Sequence, residues 1–348
     1  MSFELSPHQL FVKNFLSSQT PYNSLLLFHG LGTGKTCSAI GITEEHRDYI
    51  KQTNNEKKIM IVASPTVQEN FRIQMFNEQS MKNVNGHWKM NTCIGNKLIN
   101  EVNPTHTKNI PKDKMVSKIN KIINNSYEFM GYREFANYIE KKQIANVDLK
   151  KWSVKDQLAR MKRNLKLEFD NRLICIDEVH NIRKSDSSEN KRISSQIDFL
   201  IKNVSNMRLL FLSGTPMFNN YKEIIWLLNI MNINDGRGTI NVSDIFDSAG
   251  NFRKKTDTYE GGKELFMRKA TGYVSFVRGE NPYTFPYRVY PDMFDKSHTF
   301  NEQPVPTKNI VGGDVVQNEV DTITKSNIYI TEISDYQSKV YNVIMKSY

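Results

Sequence analysis

Short apolar runs recur along the first part of the chain: Leu25–Phe28, Lys58–Ala63, Leu173–Ile176 and Leu209–Leu212. Each is too short for a buried helix and stops at turn-forming residues, which predicts strands buried on both faces. Stretches with helical apolar spacing follow three of them, over Cys37–Tyr49, Val67–Phe76 and Tyr221–Met231, the last opened by Asn220 as N-cap with Glu223 three residues on. Repeated strand–turn–helix units predict an α/β fold, a parallel sheet with helices on both faces. An amphipathic helix over Leu5–Ser17 precedes the first strand, with Ser6-Pro7 at its start and Leu10, Phe11, Phe15 and Leu16 as its apolar side.

The pattern weakens between the second and third runs. Gly86–Asn125 is polar, Asn/Lys-rich and poorly periodic, and reads as an insertion with some helix near Met115–Ile123. A short strand at Ser126–Met130, a helix at Arg133–Lys142 and a basic helix at Lys150–Phe169 complete this part. Beyond Asn232 glycines punctuate a less regular region. It carries a helix near Lys263–Ala270, β candidates at Tyr273–Val277 and Tyr287–Tyr290, a loop over Thr299–Val315 and a strand at Asn327–Ile330. A last helix is capped by Ser334 with Gln337 and presents Val340, Tyr341 and Ile344. The expected division is 1–232, 233–325 and 326–348.

Composition adds three constraints. With 348 residues there is room for one large or two ordinary cores. The net charge of +10 favours a polyanionic partner, though only modestly. Lys155, Lys162 and Lys166 on the basic helix read first as a solvated face and less commonly as a nucleic-acid stripe. Cys37, Cys93 and Cys175 are scattered without CxxC spacing, so neither a disulfide framework nor a zinc site is expected, and a reducing compartment fits. No apolar run approaches the roughly 20 residues of a membrane span, and no signal-peptide core is present, which predicts a soluble protein without a membrane partner.

Chemistry concentrates in LLLFHGLGTGKT at 25–36. A strand, a glycine-rich turn and a helix start in that order make a phosphate loop: Gly30, Gly32 and Gly34 allow backbone N–H groups to converge, and the helix end adds its positive dipole. Lys35 can reach β/γ-phosphates and Thr36 can ligate Mg²⁺. His29 stands where the strict pattern has glycine. Asp177-Glu178 closes the third apolar run, a placement in which one carboxylate holds Mg²⁺ and the next orients or deprotonates water. Gln9, read alone, is ordinary surface, although its amide matches both hydrogen-bonding edges of adenine.

In order along the chain, His8-Gln9, GLGTGKT, SPT at 64–66, DEVH at 177–180 and SGTP at 213–216 resemble the Q motif and motifs I, Ia, II and III of superfamily 2 helicases and translocases. LSGTPMFNN and the terminal EISDYQSKVYNVI are similar to the Swi/Snf-type branch, which also lacks glycine at the position of His29. RGENPYTFPYRVYP at 278–291 resembles the helicases of large DNA viruses, of the poxvirus early transcription factor small subunit and nucleoside triphosphatase I type. The resemblance implies a RecA-like ATP-binding lobe using ATP and Mg²⁺. Gln9 would recognise adenine, and the loop Gly30, Leu31, Gly32, Thr33, Gly34, Lys35, Thr36 would hold phosphates. Thr36 and Asp177 would hold the metal, and Glu178 would be the catalytic carboxylate. His180, Ser213 and Thr215 would couple nucleotide state to a nucleic acid contacted at Pro65 and Thr66.

The resemblance further implies DNA rather than RNA as the track, viral RNA polymerase or transcription factors as partners, and the virion or a cytoplasmic viral factory as the location. No second lobe and no motif VI arginine are found, so the chain is expected to be the first lobe, with residues 326–348 leading toward a second RecA-like lobe of a parent chain. If the site is complete without that lobe, Arg278 or Arg288 is the arginine that completes it. Two readings stay open here: an ATP-driven translocase lobe, or a non-catalytic nucleic-acid-binding module in which ATP only switches conformation. A P-loop kinase is a weaker third, since SGTP and DEVH have no use there.

Overall fold

The computed structural model describes residues 4–53, 55–147, 152–182, 188–217, 221–256 and 258–279. Beyond 288 it describes 289–290, 293, 295–300, 302–308, 313–317, 320, 323–324 and 328–347. Two compact units emerge, Met1–Asn281 and Pro282–Tyr348.

The first unit is built on the predicted apolar runs. In chain order its strands are β1 (Ser24–His29), β2 (Ile59–Val62), β3 (Lys82–Val84), β4 (His87–Lys89), β5 (Tyr127–Met130), β6 (Leu173–Ile176), β7 (Arg208–Ser213) and β8 (Val274–Val277). Six of them form one sheet in the order β5-β2-β6-β7-β1-β8, with every pairing parallel. This is the parallel α/β sheet that the sequence pattern predicts, of the RecA-like kind that the family resemblance implies. The side chains alternate with period two. Leu26, Met60, Val62, Ile174, Ile176, Leu209 and Phe211 enter one core, while Leu25, Leu27, Ile59, Ile61, Leu173, Cys175, Leu210 and Leu212 enter the other. Both faces are apolar because helices cover both.

One layer holds α1 (Pro7–Phe15), α2 (Lys35–Gln52), α3 (Pro65–Met75), α4 (Lys97–Val102) and α5 (Lys112–Ser126). The other holds α6 (Tyr132–Gln143), α7 (Val154–Phe169), α8 (Ser188–Asn203), α9 (Glu223–Asn234), α10 (Val242–Ile245) and α11 (Gly262–Ala270). The stretch expected to be an irregular insertion is more ordered than its polarity suggests. A hairpin, β3–β4, leads into α4 and α5, and α5 buries Met115, Ile119 and Ile123 at helical spacing. An ion-pair network with a buried centre anchors this part: the buried Arg47 guanidinium donates to Glu44 and Glu101, and toward the surface Lys51 pairs with Glu101 and Lys97 with Asp48. Tyr127 Oη donates to Glu44 at 2.5 Å, tying the edge strand to the same network.

The cysteine reading is corrected here. Cys37 and Cys93 form a disulfide, 56 residues apart in sequence, because the segment before α4 packs beside the start of α2. Cys175 is free and buried in β6. The argument for a reducing compartment from scattered cysteines therefore falls. Among the described residues no helix is long and apolar enough to cross a membrane.

In the second unit, α12 (Asp335–Ser347) begins with the predicted reciprocal cap: Ser334 N–H donates to Gln337 Oε1 and Gln337 N–H donates to Ser334 Oγ. The expected strand at 327–330 is not formed at residues 328–330. There Ile330 N–H donates to His298 O at the end of a 3₁₀ turn, and the His298 ring Nδ1 lies 2.7 Å from Ile330 O, contacts to one residue that make no ladder. The Asn220 cap, Arg288 and half of the Tyr287–Tyr290 candidate lie outside the described residues, and Val289 and Tyr290 are not in a strand.

His46 on α2 is 3% exposed, and neither of its ring nitrogens has a hydrogen-bond partner. Burial, with Arg208 adding repulsion, pushes its pKa down from 6.5 to about 3. The fold thus refuses a proton that the unfolded chain accepts below about pH 6.5, so stability falls as pH drops through this window. The loss attributable to His46 at pH 5 is about 2 kcal/mol. Denaturant unfolding of wild type and His46→Leu at pH 7 and pH 5 checks this: the variant should lose about 2 kcal/mol less on acidification, and equal losses would contradict it.

Candidate nucleotide site

All the motifs lie at the carboxyl edge of the sheet, where parallel α/β sheets bind ligands. The phosphate loop leaves β1 at Gly30 and enters α2 at Lys35, with Gly34 as N-cap in the left-handed region at φ 74°. Thr33 Oγ1 donates back to Gly30 O at 2.8 Å, closing the turn. Leu31 is exposed at its tip. The N-terminal helix braces the loop from outside: His8 Nε2 lies 2.8 Å from Thr33 O, and Gln9 Nε2 donates to Gly34 O at 3.1 Å. Gln9 Oε1 accepts from Ser6 N–H, so both ends of the amide have protein partners.

The other flank of the loop is held by β8. Gly30 N–H donates to Val277 O at 3.0 Å, and a Cβ on Gly30 would fall 2.4 Å from Gly279 N. A Cβ on Gly279 would in turn fall 2.8 Å from Leu31 N. The two backbones touch where neither residue can carry a side chain. His29, the departure from the strict loop pattern, is fully buried at the end of β1, and its Nε2 lies 2.9 Å from Ser275 Oγ on β8. Burial, then the neighbouring His8 and Lys35, lowers its pKa to about 4, so the ring is neutral at pH 7. A neutral imidazole bonded to a neighbouring strand is a stitch in the sheet, which glycine could not supply.

Lys35 Nζ lies 3.9 Å from Glu178 Oε1 and 3.4 Å from His29 O. Asp177 and Glu178 follow β6 directly. Asp177 is buried, and burial above all, with the Glu178 charge, raises its pKa to about 6 against the opposing Glu178 N–H and Lys35. Glu178 sits at φ 43°, an unusual backbone for a non-glycine residue and one found where a site imposes it. From Glu178 the contacts run on: Glu178 Oε2 lies 3.3 Å from His180 Nδ1, which lies 3.1 Å from Ser213 Oγ, and Thr215 N–H donates to that Oγ at 3.0 Å. The ends of β1, β6 and β7 thereby share one chain of polar contacts beside an open cleft of about 580 Å³.

Pro65 and Thr66 are exposed at the start of α3, at the same edge but outside this chain of contacts. Lys155, Lys162 and Lys166 are exposed on α7, in keeping with a solvated face. Arg278, flagged in sequence only as a conditional alternative, lines the cleft.

The interlocked glycines make a direct prediction. Gly30→Ala should destabilise the first unit by about 1–3 kcal/mol through overpacking against Gly279. Gly236→Ala probes a different risk, backbone strain at φ 66° with open space around it, and should cost less. Chemical denaturation of both variants measures the difference, and equal costs would contradict the steric account.

Comparisons with known proteins find similar chains. Over 297 residues the chain is 28% identical to a putative ATP-dependent RNA helicase, L377, of Acanthamoeba polyphaga mimivirus, covering 83% of this chain and 24% of that protein. It is 25% identical over 328 residues to an early transcription factor large subunit homolog of African swine fever virus, covering 82% of this chain and 28% of that protein. The relative is thus named for the large subunit, where the sequence reading singled out the small one. The backbone is also similar to the Sulfolobus solfataricus SWI2/SNF2 ATPase core in complex with dsDNA, with a TM-score of 0.42 and 15% identity over 81% of this chain and 46% of that one. The chain spans about a quarter of the length of the two viral relatives. The family model of the SNF2-related domain matches residues 8–265, and the chain belongs to that family.

Proposed function

We propose that this chain is the ATP-binding lobe of a nucleic-acid-dependent ATPase, a helicase or DNA translocase serving viral transcription. The observation that carries the reading is the approach of Lys35 Nζ to Glu178 Oε1 across the cleft, which joins the phosphate loop to the acidic pair. Family membership and the names of the viral relatives support it.

In this reading the backbone N–H groups of Leu31–Thr36 and the dipole of α2 receive the phosphates, the Gly30 N–H being held by Val277 O. Lys35 leaves Glu178 for the β/γ-phosphates, which frees the Glu178 carboxylate to orient the attacking water and accept its proton. Thr36 and Asp177 suit Mg²⁺: both offer hard oxygen donors, and a buried carboxyl whose pKa is raised to about 6 gains most from a cation beside it. Bound there, Mg²⁺ would neutralise charge on the transferring phosphoryl group. His180, Ser213 and Thr215 pass the rearrangement of Glu178 to the end of β7. Gln9 steadies the loop and turns toward adenine, while Pro65 and Thr66, at a helix N-terminus, contact the phosphates of duplex DNA. A second RecA-like lobe, viral RNA polymerase or transcription factors are the proposed partners, in the virion or viral factory.

Lys35→Ala should abolish measurable ATP binding, whereas Glu178→Gln should bind ATP and lose turnover in the full-length parent. Calorimetry showing wild-type affinity in both would overturn the assignment. Mg²⁺-dependent ATP affinity should fall as pH drops below about 6, where Asp177 becomes protonated, and Asp177→Asn should flatten that dependence; a wild-type profile that is flat between pH 7.5 and 5.5 would contradict it. Binding to duplex DNA should weaken linearly on a log–log salt plot with a slope of roughly −0.9 per phosphate contact. The same titration with duplex RNA tests the choice of track, because the mimivirus relative is named for RNA.

A further inference from the structure

β8 stands beside the phosphate-loop strand, parallel and in register, with His29 opposite Val277. The residue after Val277 is Arg278, which therefore leaves the sheet at the same level as Gly30. The contact between Gly30 and Gly279 fixes that level, since neither backbone can retreat without opening the loop. Arg278 lines the cleft together with Lys35, Glu178, His180 and Thr215.

The charges there are unevenly spent. Lys35 faces Glu178, and Glu178 faces His180. Arg278 is exposed and has no hydrogen bond or ion pair to a described residue. A guanidinium held at a strand end and left without a carboxylate partner among the described residues is suited to a ligand with several anionic oxygens, because its planar fork donates two parallel hydrogen bonds. The ligand already assigned to this cleft is a nucleoside triphosphate.

We propose that Arg278 is a phosphate-binding residue of the nucleotide site, supplied by this same lobe and directed at the terminal phosphate. The inference rests on the ATP-site reading above. It assigns to β8 a part in discriminating triphosphate from diphosphate, since only the longer ligand brings a γ-phosphate into the space between Lys35 and Arg278. The two cations would then divide the phosphates. Lys35, mobile and at the start of α2, follows the β/γ bridge, and Arg278 meets the outermost oxygens.

The test uses the chain as it stands, residues 1–348, with fluorescent ATP and ADP analogues titrated in Mg²⁺ into wild type, Arg278→Ala, Arg278→Lys and Lys35→Ala. Charge-assisted hydrogen bonds of this kind correspond to a loss of about 10- to 100-fold. Arg278→Ala should therefore weaken the triphosphate by at least tenfold and the diphosphate by less than threefold, with Arg278→Lys recovering part of the loss. Unchanged triphosphate affinity in Arg278→Ala, with Lys35→Ala still losing binding, overturns the role of Arg278 and leaves the ATP site intact. An equal loss for both nucleotides overturns the terminal-phosphate assignment. If wild type binds neither nucleotide, or Lys35→Ala binds as wild type does, the ATP-site reading fails and the inference falls with it. Thermal unfolding of each variant separates lost affinity from lost fold, and Arg278→Lys keeps the charge should the alanine variant be destabilised.

Discussion

The position of β1 between β7 and β8 is the constraint on which the site depends. A phosphate loop works only if its backbone N–H groups are held still, and a glycine-rich turn has little stiffness of its own. Here stiffness is imposed from outside. β1 is buried and hydrogen-bonded on both edges, His29 is stitched to Ser275, and Gly30 lies against Gly279 with no room for a side chain on either. His8 and Gln9 close the remaining side. The loop is thus clamped at its entry and at its exit, leaving Leu31 and Gly32 facing solvent.

The clamp makes the polar relay meaningful. Lys35, Glu178, His180 and Ser213 come from the ends of three strands, and in a parallel sheet those ends share an edge by construction. The contacts that link them are 3.1–3.9 Å long, and in the proposed function a change at one end would travel through them rather than through a long element. Glu178, held at φ 43°, touches both the loop lysine and the histidine that meets β7. The raised pKa of Asp177 belongs to the same arrangement: burial at the sheet edge outweighs the compensation that the Glu178 N–H and Lys35 give its carboxylate.

Much of the fold was legible because burial on both faces leaves an unmistakable trace, short apolar runs such as LICI and LLFL closed by turn residues. The phosphate loop and the acidic pair were legible because their chemistry demands particular residues in a fixed order. What the sequence hid was non-local. Ile193, Ile197, Leu200 and Ile201 carry the helical period of α8, yet the polar residues before them mask its start. The start of α4 looked like polar filler because the partners of Lys97 and Glu101, Glu44 and Arg47, are charged residues on a distant helix. Cys37 and Cys93 gave no spacing signal, since the fold rather than the sequence brings them together. That β8 flanks β1 could not be read from either strand, and with it went the reason for His29.

Hydrogen exchange with and without a non-hydrolysable ATP analogue and Mg²⁺ tests the central claim, that the loop and the ends of β6 and β7 form one nucleotide site, most directly. The account predicts strong new protection over residues 30–38, with smaller changes at 177–181 and 213–215, and none in the groove lined by Lys82, Lys89 and Asn96. Protection centred on that groove, or absent from the loop at saturating nucleotide, would contradict it.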